Sequence, residues 1–199
     1  VLLIGGGAHY SGAGEALMRL VETMHMPVVN SPTSRGVVPE THPMVLGCAG
    51  IIGYEPVGAA IEEADLVLAI GSRLSDIQTS RGDLLPKDAP IIQVDIEPAG
   101  IGREYPVKIG IVADAQGFAD ALVMALAAEP PEVPDSRREW TASLAERYAT
   151  WRDAWIAAAP DDGQVQPQEV VATLLEQPPE TIFTHGAGDH GFYGFMVPV

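Results

Sequence analysis

Short uninterrupted apolar runs, each closed by glycine, proline or a polar residue, alternate along the first two thirds of the chain with stretches whose apolar side chains recur every three or four positions. Val1-Leu2-Leu3-Ile4 running into Gly5-Gly6-Gly7 reads as a strand buried on both faces that ends in a glycine turn. Ala16, Leu17, Leu20, Val21 and Met24 then trace one helical face, and Pro27 stops that pattern before a second strand, Val28-Val29-Asn30. The alternation returns with a helix over residues 56–64, strands over 65–70, 90–96 and 109–112, and a helix over 115–127. Strands alternating with helices predict an α/β fold, a doubly wound parallel sheet over residues 1–128, whose ligand crevice lies beyond the carboxyl ends of its strands.

A second pattern begins after Glu129-Pro130-Pro131-Glu132-Val133-Pro134, which is too rich in proline for a helix or a central strand. Ser136 and Glu139 have the spacing of a capping box, and Trp140, Leu144, Tyr148, Trp151 and Trp155 follow as a stripe at helical spacing. All three tryptophans lie in it, so residues 129–163 read as a linker and an amphipathic helix that docks its aromatic face on a domain surface. Pro167 opens a helix to Glu176, and Thr181-Ile182-Phe183-Thr184 reads as a strand running into Gly186-Ala187-Gly188-Asp189-His190. Residues 164–199 are therefore expected to be the truncated start of a second α/β domain, and the absence of an initiating methionine adds to the expectation of a longer parent.

At 199 residues the chain holds one domain and part of a second, going by about 100–150 residues per domain. Its formal charge of -16 opposes nucleic-acid binding, and the acids are spread through both parts rather than gathered in a tail. One cysteine, Cys48, excludes an internal disulfide framework, and no Cys/His cluster has zinc spacing. No apolar run reaches the roughly 18–20 residues of a membrane span. The expectation is a soluble, acidic, cytoplasmic protein without nucleic-acid or membrane partners.

The candidate chemistry lies at strand ends. Gly5-Gly6-Gly7 lets either a nucleotide phosphate approach the backbone or a tight turn form without any ligand. It is not the full G-x-G-x-x-G fingerprint, and Asn30 stands where a nicotinamide site carries an acid for the ribose, which argues against a dehydrogenase. Arg73, in Gly71-Ser72-Arg73, suits a phosphate or carboxylate, or else a salt bridge to a neighbouring loop. Asp95 suits either a ribose or the cap of the following turn.

Taken in order, these segments resemble the central domain of thiamine-diphosphate-dependent enzymes of the acetolactate synthase type. The resemblance rests on Leu2-Leu3-Ile4-Gly5-Gly6-Gly7-Ala8, on Pro27-Val28-Val29 with Gly36 and Pro39-Glu40-Thr41-His42-Pro43, and on Leu46-Gly47 with Gly50. It continues through Ala64-Asp65-Leu66-Val67-Leu68-Ala69-Ile70-Gly71-Ser72-Arg73 and Ile91-Ile92-Gln93-Val94-Asp95-Ile96-Glu97-Pro98 with Ile101 and Asp114. Gln166-Pro167-Gln168 and residues 182–190 look like the entry to the family's diphosphate-binding domain, so the likeness covers nearly the whole chain.

The resemblance implies a Rossmann-like central domain of the DHS-like NAD/FAD-binding kind, which in this family holds FAD, ADP or nothing. The nucleotide contacts carried over are Gly5, Gly6, Gly7, Ser31, Thr33, Gly71, Ser72, Arg73, Asp95 and Asp114, and the contacts to thiamine diphosphate are Gly188, Asp189 and His190. Two stretches depart from the pattern. Gly47-Cys48-Ala49-Gly50 replaces Gly-Met-His-Gly, and Leu74-Ser75-Asp76-Ile77-Gln78 replaces Phe-Asp-Asp-Arg-Val, so that an arginine able to meet a phosphate is missing.

The family's magnesium motif, Gly-Asp-Gly with a later asparagine, is absent, because the sole asparagine, Asn30, precedes both Gly82-Asp83 and Gly188-Asp189. The family's activating glutamate belongs to an amino-terminal domain that this sequence lacks. The chain alone is therefore expected to be inactive, with no catalytic or metal-binding residue of its own. The implied parent is a cytoplasmic homo-oligomeric lyase or transferase, a dimer or tetramer. It would use thiamine diphosphate and Mg2+ to decarboxylate a 2-oxo acid or acyl-CoA and pass the fragment to a second carbonyl. Two alternatives stand beside it: a sirtuin-like NAD-dependent deacylase, and a stand-alone nucleotide-binding or regulatory module.

Overall fold

The computed structural model of the chain describes residues 1–51, 53–178, 180–184, 186, 188, 191 and 193–198. Its centre is one parallel sheet of six strands in the order β3-β2-β1-β4-β5-β6, with β1 Leu2–Ile4, β2 Val28–Asn30, β3 Val45–Cys48, β4 Val67–Ile70, β5 Ile91–Asp95 and β6 Ile109–Val112. Strands β1, β2 and β4 are buried throughout, as continuous apolar runs covered on both faces must be. Of the two edge strands, β6 is largely exposed and β3 is mostly buried.

Two cores sandwich the sheet. On one face α2 (Gly14–Met24) lays Ala16, Leu17, Leu20 and Val21 against Leu2, Ile4, Val28 and Ile70, next to α5 (Ala115–Ala128). The other face joins Leu3, Val29, Val67 and Ala69 to Val57, Ala60 and Ile61 of α3 (Glu55–Glu62). Side chains alternate between these cores along β1, β2 and β4, which locks their mutual register.

Helix α6 (Asp135–Ala157) completes the second core rather than acting as a spacer. Leu144 is fully buried in it, with Trp140 and Tyr148 packed against it, and Trp151 lies 4.9 Å from the ring of Tyr54. The aromatic stripe thus docks on the central domain, and the burial of Leu144 alone contributes roughly 1.5–3 kcal/mol. The capping box expected at Ser136 and Glu139 does not form. The helix starts at Asp135 with Pro134 as its cap residue, so Ser136 is already inside the first turn.

At the outer edge Glu63 receives hydrogen bonds from Trp140 Nε1 (3.0 Å) and Arg147 Nη1 (2.8 Å). Burial pushes the Glu63 carboxyl up, but these hydrogen bonds outweigh it and hold the group below the ordinary carboxylate range. A carboxyl lowered in the folded state stabilises above its unfolded titration, near pH ~4.3, and that stabilisation is lost as pH falls through the lower folded value. Acid titration should therefore loosen the Trp140 contact in that window, read as a red shift of tryptophan emission, and Glu63→Gln should remove the acid step.

Three elements escaped the sequence patterns: β3, the short helix α1 (Gly6–Tyr10) directly after β1, and the single turn α4 (Asp76–Thr79). One expected strand is absent. Residues 181–184 are irregular and Ile182 is 89% exposed, and among the described residues no strand pairs with them. Helix α7 (Pro167–Leu175) forms as expected, with a capping box between Gln166 and Glu169.

The end of the described chain is tied back to the sheet edge. The Arg35 guanidinium makes a paired contact with the Glu40 carboxylate and donates to the carbonyls of Gly194 and Val197, while its Cζ sits 5.2 Å from the Phe195 ring centroid. Trp155 stacks on Tyr193 at 5.5 Å, and Met196 and Val197 are buried beside β3.

Candidate functional site

The strand order reverses between β1 and β4, and there the chain leaves the carboxyl ends of the two strands in opposite directions. Both strands end in glycine. The Gly7 amide donates to Gly71 O (2.9 Å), and the two loops touch backbone to backbone. A Cβ on Gly5 would run into Gly71 O and Ser72 Cα, and Gly71, at φ +61°, would put its own Cβ 2.5 Å from Ala8 N. Loop packing therefore demands glycine at both positions, whatever ligand is bound.

Beyond these loops lies a cleft of about 920 Å³. Its walls include Gly5, Gly6, Gly7, Ser31, Thr33, Gly71, Ser72, Arg73 and Asp95, so the structure gathers nine of the candidate nucleotide residues around one space. Asp114 is not among them. Its Oδ1 accepts the Gly117 amide (3.0 Å) and caps α5. Gly188 lies exposed near the chain end and accepts the Gly191 amide, and Asp189 and His190 fall outside the described residues.

Each wall is held from beneath. Ser34 Oγ donates to Ile4 O (2.7 Å) and also bonds Ser31, fixing the loop after β2 to the end of β1 and leaving Ser31 Oγ 3.0 Å from Thr33 Oγ1. Asp95 is nearly buried and uses Oδ1 to accept the Glu97 amide (2.9 Å), so it caps its turn, while its other carboxylate oxygen has no hydrogen bond among the described residues. Arg73 is exposed and makes no ion pair or hydrogen bond with the described residues, which leaves its guanidinium free for an anion.

Further residues that line the cleft were not among the sequence candidates. Arg103 reaches the cleft from the loop after β5, and its only ion pair among the described residues is an exposed one with the adjacent Glu104. Such a rim pair contributes about 0–1 kcal/mol, so the guanidinium can turn to an incoming anion at little cost. Arg103 thus brings a second guanidinium to the cleft, whose wall carries Ile77 where the resemblance implies an arginine. Gln78, Glu97 and Tyr10 also line the space. A lone glutamine or arginine in a loop gave no periodic signal, and these residues meet only because loops far apart in sequence converge.

Two guanidinium groups and two carboxylates on a glycine-lined floor suit a ligand that carries both phosphate and hydroxyl groups: the arginines match phosphate oxygens, and Asp95 and Glu97 match ribose hydroxyls. Cys48 is buried at the end of β3. Desolvation, added to by Glu40 and offset by Arg35, pushes its thiol up to about 12, so it is neither a nucleophile nor a ready ligand. Among the described residues no group of three or more His, Cys, Asp or Glu is placed to hold a metal ion, and no helix is long and apolar enough to cross a membrane.

Comparison with known proteins agrees with this geometry. The profile of the thiamine pyrophosphate enzyme central domain matches residues 1–122. A probable acetolactate synthase large subunit from Methanocaldococcus jannaschii is 37% identical over 177 residues, covering 88% of this chain and 29% of that protein. The acetolactate synthase large subunit of Corynebacterium glutamicum is 34% identical over 191 residues, covering 96% of this chain and 30% of that protein. The chain thus spans about 30% of the length of the curated relatives it matches. With the doubly wound sheet, its switch-point cleft and a profile match over more than half its length, the chain belongs to the thiamine-diphosphate-dependent enzyme family, as a central domain of the acetolactate-synthase-like kind.

Proposed function

We propose that this chain is the nucleotide-holding central domain of a thiamine-diphosphate-dependent enzyme that decarboxylates a 2-oxo acid or acyl-CoA and transfers the fragment, with residues 164–199 leading into the diphosphate-binding domain. One observation carries the nucleotide part: Arg73 and Arg103, Asp95 and Glu97, and the glycine loops of β1 and β4 all face one cleft at the sheet's switch point. The relatives named as acetolactate synthases support the reaction class and favour it over a sirtuin-like deacylase.

In this reading Arg73 and Arg103 bind the diphosphate of ADP or of the ADP half of FAD, and the free oxygen of Asp95 accepts a ribose hydroxyl. At about 920 Å³ the cleft lies near the upper end of the roughly 300–1,000 Å³ usual for small-molecule sites, so its size admits the larger ligand. Ile77, exposed on the wall, offers an apolar surface to a ring. In the parent, thiamine diphosphate with Mg2+ would act as the electron sink for loss of carbon dioxide. Gly188, Asp189 and His190 remain the candidates for touching it. A cytoplasmic homo-oligomer is part of the same proposal.

Calorimetric titration of the chain with ADP and with FAD tests the nucleotide reading. Micromolar binding is expected for at least one of them. Arg73→Ala should weaken it about tenfold, since charge-assisted hydrogen bonds contribute about 1.5–3 kcal/mol. No binding of either nucleotide at millimolar concentration would sink the reading. For the parent polypeptide, carbon dioxide release from pyruvate that depends on added thiamine diphosphate tests the reaction class.

A further inference from the structure

Strand β5 reads Ile91-Ile92-Gln93-Val94-Asp95, and Gln93 is a polar interruption with 1% of its surface exposed. Burying a primary amide is costly unless each of its groups is hydrogen-bonded. Here the bonds go to two separate loops. Gln93 Nε2 donates to Ser72 O (3.0 Å) and, at 3.4 Å, to Gly100 O, while Oε1 accepts the Gly102 amide (2.9 Å). Ser72 immediately precedes Arg73, and Gly102 immediately precedes Arg103.

One buried amide therefore ties together the backbones that carry the two cleft arginines, although those loops lie 30 residues apart in sequence. Gln78 extends the arrangement: its Oε1 accepts Ser72 Oγ (2.6 Å), and its Nε2 reaches Ile4 O at 3.4 Å. Leucine or methionine would fill the Gln93 space without a polar side chain to desolvate but would take the partner from the Ser72 and Gly100 carbonyls and the Gly102 amide, so the amide serves the loops rather than the strand's packing. We propose that Gln93 is a positioning residue that sets the separation of Arg73 and Arg103 across the cleft, and thereby fits the site to a diphosphate. The diphosphate part rests on the nucleotide reading above.

The Gly102 amide provides a test free of any ligand. Gly102 lies in an exposed loop, yet its N–H is bonded to a buried acceptor. Its hydrogen exchange in the wild-type chain should be at least a hundredfold slower than in an unstructured peptide, and Gln93→Met should bring it close to the peptide rate. Fast exchange in the wild type, or unchanged protection in Gln93→Met, would overturn the proposal.

The second arm titrates wild type, Gln93→Met and Gln93→Glu with ADP and with adenosine. Gln93→Met should lower ADP affinity about tenfold and leave adenosine affinity unchanged. Gln93→Glu keeps an acceptor for Gly102 but sets a carboxylate oxygen against the carbonyls of Ser72 and Gly100, so its ADP affinity should fall at least as far as that of Gln93→Met. Equal weakening of ADP and adenosine would mean that Gln93 supports the fold alone, and would overturn its positioning role. If the wild type binds neither ligand while Gly102 is released in Gln93→Met, the tie between the loops stands and the nucleotide reading falls.

Discussion

Arg35→Met is expected to destabilise the chain by about 3–5 kcal/mol, because it removes the guanidinium paired with the buried Glu40 carboxylate, which would keep its hydrogen bond from Asn30 Nδ2 (3.1 Å) but lose the charge opposite it at Arg35. The Glu40 side chain is 5% exposed and that of Arg35 12%, so water cannot replace the lost contacts. The same change strands the carbonyls of Gly194 and Val197, and the segment carrying Phe195 and Met196 should leave the β3 edge. Urea unfolding measures the first effect, and hydrogen exchange over residues 194–197 with Trp155 emission measures the second. Arg35→Met combined with Glu40→Leu should recover part of the loss, since removing both members of a buried pair costs less than removing one. A double variant as unstable as the single one would show that the pair's charges are not the source of the effect.

Gly71→Val is expected to cost about 2–5 kcal/mol from left-handed backbone strain and overpacking together. Its Cβ meets the backbone at Ala8 N, Gly7 C and Gly7 Cα, none of which can rotate away, and β1 and β4 would be pushed apart at the cleft floor. Gly12→Ala is the control. That residue also has positive φ, +72°, but its nearest neighbour is Gln116 Oε1 at 4.0 Å, so only the left-handed strain of about 1–2 kcal/mol applies. Comparable urea midpoints for the two variants would mean that loop packing is not what requires glycine at Gly71.

The elements that could be read from the sequence are those whose pattern is local. Strands β2 and β6 fall on their expected residues, α5 covers its expected span, and α2 follows its apolar spacing, because burial on a sheet face imposes that spacing directly. Strand β3 was missed because Gly47 interrupts it at φ +104°, and its register against β2 slips between Val28 and Val29. Helix α1 holds two glycines in five residues and is supported by tertiary contact, notably the Gly7 amide on Gly71 O, rather than by helical propensity. The strand expected over 181–184 had the right composition, but a strand is a pairing, and the described residues offer it none.

The candidate site divides in the same way. Gly5, Gly71, Arg73 and Asp95 were visible because they close strands, and strand ends are where a doubly wound sheet binds ligands. Arg103 and Gln93 were not visible as site residues, since the roles proposed for them rest on contacts between loops that only the fold brings together. Asp114 carried a motif signal and turned out to cap a helix, a role that the same residue type fills at the same kind of position.

Mapping amide hydrogen exchange with and without saturating ADP tests the central claim most directly. The account predicts new protection at residues 5–8, 31–34, 71–73 and 95–103, with α3 and α6 unchanged. Protection confined to the groove between α3 and α6, or none at the β1 and β4 loops despite measurable binding, would contradict it.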